Sequence, residues 1–148
     1  MSTLDLMLHC NCMRPEPVYD DGIWYCENCG RDLQDNREIV PRIVCLCGST
    51  RFSEAYQQAN LLETLAGNIV LTIGCDMRSN PDLFTDKTQE YLDVIKAQLD
   101  ELHKRKIELA DEILVLNVGG YIGESTRSEI EHARKYHKVI RYLEPAES

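Results

Sequence analysis

At 148 residues and 43% hydrophobic content, the chain has material for one ordinary domain with a single core and a small appendage. The 25 Asp and Glu against 16 Lys and Arg leave a net charge of −9. That balance excludes a non-specific binder of nucleic-acid polymer, which needs a basic face to displace counterions; a nucleotide-sized ligand held by one or two local cations remains compatible with it. Seven cysteines, an odd number partly in metal-like spacing, point to a reducing compartment and not to a disulfide framework.

Met1-Ser2-Thr3-Leu4-Asp5 has neither a basic n-region nor a long apolar run. No signal peptide is expected, and no stretch approaches the length of a transmembrane helix. The expectation is a cytoplasmic protein with no membrane partner.

Residues 1–38 read as a zinc-ribbon-like segment. Cys10-Asn11-Cys12 is followed by Cys26-Glu27-Asn28-Cys29-Gly30, the second pair having knuckle spacing with a glycine to relieve the tight turn. Ile23-Trp24-Tyr25 before it reads as a short strand. Four thiolates, Cys10, Cys12, Cys26 and Cys29, suit a closed tetrahedral zinc site of structural type. The single residue between the first two cysteines departs from the common spacing and leaves His9 as an alternative to one thiolate. The competing reading, four cysteines in a loose tail, is disfavoured because so short a segment has too little core to order itself without a staple. The segment holds three Lys and Arg against eight Asp and Glu. It is therefore a poor candidate for gripping DNA, and is expected to pack on its own domain or on a protein partner. Residues 32–41 read as a linker.

Residues 39–148 read as an α/β domain. The apolar run 42–47 is a buried strand ending at Gly48, and Gly48-Ser49-Thr50-Arg51 opens a helix whose inner face carries Phe52, Ala55, Tyr56, Ala59, Leu62 and Ala66. Gly67-Asn68 stops it, and residues 69–73 form the second strand. Residues 74–86 are a polar loop of the length typical of binding loops. The spacing predicts a second helix over about 87–109, a third strand over 111–116, a third helix over 126–137 and a fourth strand over 139–143. Strict alternation implies a parallel sheet covered on both faces, with the loops at Gly48, Gly74 and Val118 opening on one edge.

Those loops carry the candidate chemistry. Gly48-Ser49-Thr50-Arg51 offers backbone N–H groups, hydroxyls and a guanidinium suited to phosphate or carboxylate. An ordinary Ser/Thr helix cap is the slightly stronger reading of it. Thr126-Arg127-Ser128-Glu129 fits the S/T-x-x-E capping box, which gives Glu129 a plain structural job at least as well supported as a catalytic one. His103 shares a helical row with Leu99 and Ile107 and reads as a satisfied core histidine. Asp111 reads as a turn residue at the amino end of its strand. Cys45, Cys47 and Cys75 read as small buried hydrophobes, and Tyr121 is a lone aromatic that could stack on a base.

Together, Cys47-Gly48-Ser49-Thr50-Arg51, the strand 110–117 and Gly123-Glu124-Ser125-Thr126-Arg127-Ser128-Glu129-Ile130-Glu131-His132-Ala133 resemble the nucleoside 2-deoxyribosyltransferase-like superfamily, which includes 2'-deoxynucleoside 5'-phosphate N-hydrolases. The resemblance covers roughly residues 42–143. It implies a flavodoxin-like three-layer sandwich, a glutamate nucleophile at Glu129 followed by Ala133, and a 5'-phosphate site at Gly48, Ser49 and Arg51. Ser125 is the matching hydroxyl near the glutamate, and Asn117 and Gly123 fall in the loop after the third strand, where the transferases position the sugar. The acidic residues of that loop are replaced here by Asn117 and glycines, with Glu124 remaining; Asp76, Asp82 and Asp86 are other candidates for the acid that protonates the base. Family members often complete their sites across a dimer, so a homo-oligomer is expected. The expected activity is cleavage or exchange of an N-glycosidic bond. A non-catalytic nucleotide-binding module and, more distantly, a zinc-stapled adaptor are the alternatives.

Overall fold

The computed structural model describes Cys10 and residues 15–33, 40–74 and 81–145. Two strands come first, β1 (Pro17–Asp20) and β2 (Ile23–Cys26), paired antiparallel. Asp21 and Gly22 join them with φ of 50° and 84°, the pair of positive dihedrals that a tight two-residue hairpin needs and that Asp-Gly supplies at low cost. Behind the hairpin, Cys26 and Leu33 are buried, with Cys10 and Trp24 packed against them.

The remainder alternates: β3 (Ile43–Cys47), α1 (Ser53–Leu65), β4 (Ile69–Leu71), α2 (Gln89–Leu109), β5 (Glu112–Val115), α3 (Glu124–Lys135) and β6 (Val139–Tyr142). The four strands β3 to β6 form a parallel sheet in the order β4-β3-β5-β6. Counted along this unit the order is 2-1-3-4, compatible with a flavodoxin-like core.

Alternation along β3 divides the core. Val44 and Leu46 pack with Tyr56 and Ala59 of α1 on one face. Cys45 and Cys47 point to the other face, where Ile107 of α2 and Ile130 and Ala133 of α3 complete the layer. The chain therefore leaves β3 on one side of the sheet and β5 on the other. That divergence opens a crevice at the carboxyl ends of these neighbouring strands. Gly48 lies at its throat: a Cβ there would meet the Leu116 Cβ at 3.1 Å and the Leu116 carbonyl oxygen at 3.3 Å.

At the opposite edge the sheet is held by charge. Arg141 Nη2 donates to Glu112 Oε1 at 2.8 Å and to Glu63 Oε1 at 2.9 Å, and Arg42 adds a bond to Glu112 Oε2 at 3.1 Å. Glu63 and Glu112 are both buried, so removing the guanidinium leaves Glu112 with Arg42 alone and Glu63 with no cation, only the Asn68 amide at 2.7 Å. Arg141→Met is expected to lower the unfolding free energy by about 3 kcal/mol in urea denaturation. A loss below about 0.5 kcal/mol, the range of an ordinary surface change, would mean that solvent already screens the network.

Candidate functional site

A cavity of about 570 Å³ occupies the crevice, bounded by the loops after β3, β4 and β5, one side of α2 and the start of α3. Its size suits a small organic ligand. Gly48, Ser49, Arg51, Gly123, Ser125 and Glu129 all line it.

Glu129 is not a helix cap. Gly123, in extended backbone, holds the N-cap position of α3 without a side-chain bond. Thr126 is the third helical residue and is buried, and Glu129 lies three residues further in. The capping-box reading therefore fails: α3 begins before the apolar periodicity starts, and Glu124, not Glu129, is the acid near its positive end. Glu129 Oε2 is buried and has no hydrogen-bond partner among the described residues. Oε1 stands 3.9 Å from His103 Nε2, beyond hydrogen-bond reach. Burial pushes the Glu129 carboxyl up to about 7, against the opposing pull of His103.

His103 is also not the satisfied core residue its spacing implied. It is 5% exposed, lines the cavity floor, and leaves Nδ1 without a partner among the described residues. Its Nε2 lies 3.7 Å from Cys45 Sγ and 3.6 Å from Cys47 Sγ. These two cysteines are fully buried, as expected, but their sulfurs belong to this polar cluster. The contact with Cys47 lowers the Cys45 thiol to about 6 against its burial, and the same contact raises Cys47. Burial disfavours the His103 cation, yet Cys45 and then Glu129 outweigh it and the net shift is upward.

At the rim, Arg51 Nε donates to Ser49 Oγ at 3.2 Å and Nη2 to the Tyr121 hydroxyl at 3.1 Å, with the guanidinium 4.3 Å above the Tyr121 ring. Phe52 holds the N-cap position of α1 with no side-chain bond, so the Ser/Thr cap expected at Ser49-Thr50 is not formed. Ser49 instead orients Arg51. Across the cavity the first N–H groups of α3 have no intrahelical acceptor, and Gly123, Glu124, Ser125 and Thr126 line the same space. Arg51 and this helix start make two walls suited to one anion.

Asn117 does not line the cavity. Its Nδ2 donates to the Glu144 carbonyl at 3.0 Å and its Oδ1 accepts from the Glu144 N–H at 2.9 Å, so the side chain clamps the chain after β6. Asp82 and Asp86 are exposed and also outside the lining, and Asp76 lies outside the described residues. Asp111 accepts from the Ile43 N–H at 2.8 Å, the turn role expected of it. Sequence reasoning missed Lys96, Asp100 and Lys106, which line the cavity from α2 with His103. Their spacing of four, three and three residues is one helical row, and that row was the available signal. Lys96 pairs with Asp100 at 2.8 Å, and Lys106 donates to the Thr72 carbonyl at 2.7 Å.

Away from the cavity, the Sγ atoms of Cys10, Cys26 and Cys29 lie within 4.8 Å of one another, an arrangement able to hold a metal ion. The Glu16 N–H donates to Cys26 Sγ at 3.4 Å, a contact that favours thiolate. Cys12, His9 and Cys75 lie outside the described residues. No helix among the described residues is long and apolar enough to cross a membrane. No protein-family model and no curated protein matches the chain.

Asn117→Ala is expected to lower unfolding stability by about 1–3 kcal/mol, the cost of two lost backbone contacts, while ligand affinity measured by calorimetry stays unchanged. A folded Asn117→Ala protein with tenfold weaker ligand binding would return Asn117 to the site.

Proposed function

We propose that the chain cleaves the N-glycosidic bond of a deoxynucleoside 5'-monophosphate, with Glu129 as nucleophile. The observation that carries this reading is the buried Glu129 carboxylate oxygen, unpartnered among the described residues, on the floor of a ligand-sized cavity. A carboxylate so deprived of solvation is reactive toward an electrophilic carbon once ionised. The rim supports a phosphate: Arg51, oriented by Ser49, faces the free N–H groups at the start of α3. Tyr121 lines the cavity and packs against Arg51, so it supports the guanidinium.

In the first step a Glu129 oxygen bonds to C1', the C1'–N bond breaks, and its electron pair leaves with the base, which takes a proton. Asp100 is paired with Lys96. Glu124 lines the cavity, enters no ion pair among the described residues, and is assigned as that acid. In the second step water attacks C1', the bond to Glu129 breaks, and the water proton returns to Glu124. A second base in place of water gives exchange. The reading places the chain with the nucleoside 2-deoxyribosyltransferase-like superfamily that its motifs resemble, and extends to a flavodoxin-like core and a cytoplasmic homo-oligomer.

For the N-terminal hairpin we assign a structural zinc held by Cys10, Cys26 and Cys29 with Cys12 as the fourth thiolate. The ion would fix the hairpin and serve no chemical step. The acidic surface of this segment suits a protein partner better than DNA.

Base release from a panel of deoxynucleosides and their 5'-monophosphates tests the assignment. The wild type is expected to act on monophosphates in preference to free nucleosides, and folded Glu129→Gln to lose at least about a thousandfold in kcat. Equal rates for the two proteins would remove Glu129 from the chemistry. No base release, with a monophosphate raising the Tm of both, would make the chain a nucleotide-binding module.

A further inference from the structure

The floor of the cavity brings two sulfurs, an imidazole and a carboxylate together with long hydrogen-bond distances between them. Two sulfurs, Cys45 and Cys47, converge on the single Nε2 of His103 at 3.7 and 3.6 Å. One imidazole nitrogen in the plane of its ring accepts one proton, so one of the two thiols is left with only a long contact, from Cys45 Sγ to the Leu46 carbonyl or from Cys47 Sγ to the Cys45 carbonyl, each at 4.0 Å. A carboxylate oxygen of Glu129 stands 3.9 Å from the same nitrogen. The ammonium beside the cluster, Lys106, is committed to the Thr72 carbonyl at 2.7 Å. The three donor atoms of Cys45, Cys47 and His103 all lie within 4.8 Å of one another.

From this convergence we infer that Cys45, Cys47 and His103 form a second metal site, selective for a borderline divalent cation of which zinc is the reference, with its fourth position toward Glu129 and the cavity. The spacing fits. With Zn–S near 2.3 Å and Zn–N near 2.0–2.1 Å, a tetrahedral ion sets sulfur and nitrogen roughly 3.5 Å apart, close to both observed distances. The donor set fits as well: two thiolates and an imidazole prefer zinc to calcium or magnesium, which take oxygen. The framework is rigid, because both sulfurs project from one face of the central strand β3, beside the ring carried by α2. Both cysteines are fully buried, and His103 lines the cavity, so an ion reaches them through the cavity floor.

Three protein ligands with an open position differ from the closed thiolate set of the N-terminal hairpin. The two sites are therefore separable by spectroscopy and by substitution. The inference does not depend on glycosidic chemistry, since it concerns metal binding alone.

The test is cobalt and zinc titration of the full chain. The wild type is expected to bind two equivalents of zinc. The double variant Cys26→Ser, Cys29→Ser, which disables the hairpin set, is expected to keep one equivalent of cobalt with a thiolate-to-cobalt charge-transfer band in the near ultraviolet. That band should disappear when His103→Gln or Cys47→Ala is added, each variant being checked for a cooperative thermal melt. A folded hairpin variant that binds no cobalt, or whose thiolate band survives both further substitutions, would overturn the site. Should the hairpin variant fail to fold, an equal zinc content in the wild type and in folded Cys47→Ala would overturn it.

Discussion

The site depends on one topological constraint: β3 and β5 are hydrogen-bonded neighbours whose chains leave toward opposite faces of the sheet. No side chain can fill the gap between two connections that diverge, so a parallel sheet opens there at its carboxyl edge. The close approach of Gly48 to Leu116 keeps that opening clear at its base. Everything of chemical interest in the α/β unit then arrives at one place. β3 delivers two sulfurs and the Arg51 loop, α2 delivers His103, and α3 delivers its N–H groups and, about one and a half turns on, Glu129.

The consequence is a site with two unequal halves. Toward solvent it carries Arg51 and the start of α3, with the Glu124 carboxylate on that first turn. Toward the core it is donor-rich and poorly solvated, and Glu129 sits at the boundary between them. An ion on Cys45, Cys47 and His103 would be neutral overall with its two thiolates and would turn an open coordination position toward Glu129. The metal inference and the glycosidase reading thus meet at one residue while resting on different atoms: the first on sulfurs and imidazole, the second on an unpartnered carboxylate oxygen.

Much of the scaffold was legible from residue pattern. The apolar run before Gly48, the helical rows of α1 and α2 and the alternation of elements carry the parallel sheet, because a buried parallel strand and an amphipathic helix leave distinct periodicities. The hairpin was half read. Asp21-Gly22 is a strong turn signal, yet only the residues of β2 read as strand from the sequence. The third helix shows why local motifs mislead. Thr126-x-x-Glu129 satisfies the capping-box pattern, but α3 starts at Glu124 behind an extended Gly123, so the pattern falls inside the helix. Asn117 and His103 exchanged roles for a related reason. Their functions depend on which distant backbone or strand they meet, Glu144 for one and β3 for the other, and spacing along the chain carries no record of that.

Glycosidic cleavage by this route requires a covalent bond between Glu129 and the sugar. The most direct measurement is the mass of the full chain, acid-quenched during turnover of a deoxynucleoside 5'-monophosphate, with proteolytic mapping of any adduct. A mass increase of one deoxyribose phosphate unit is expected on the peptide that contains Glu129, and none in Glu129→Gln. Turnover with no adduct, or an adduct on another residue, would contradict it.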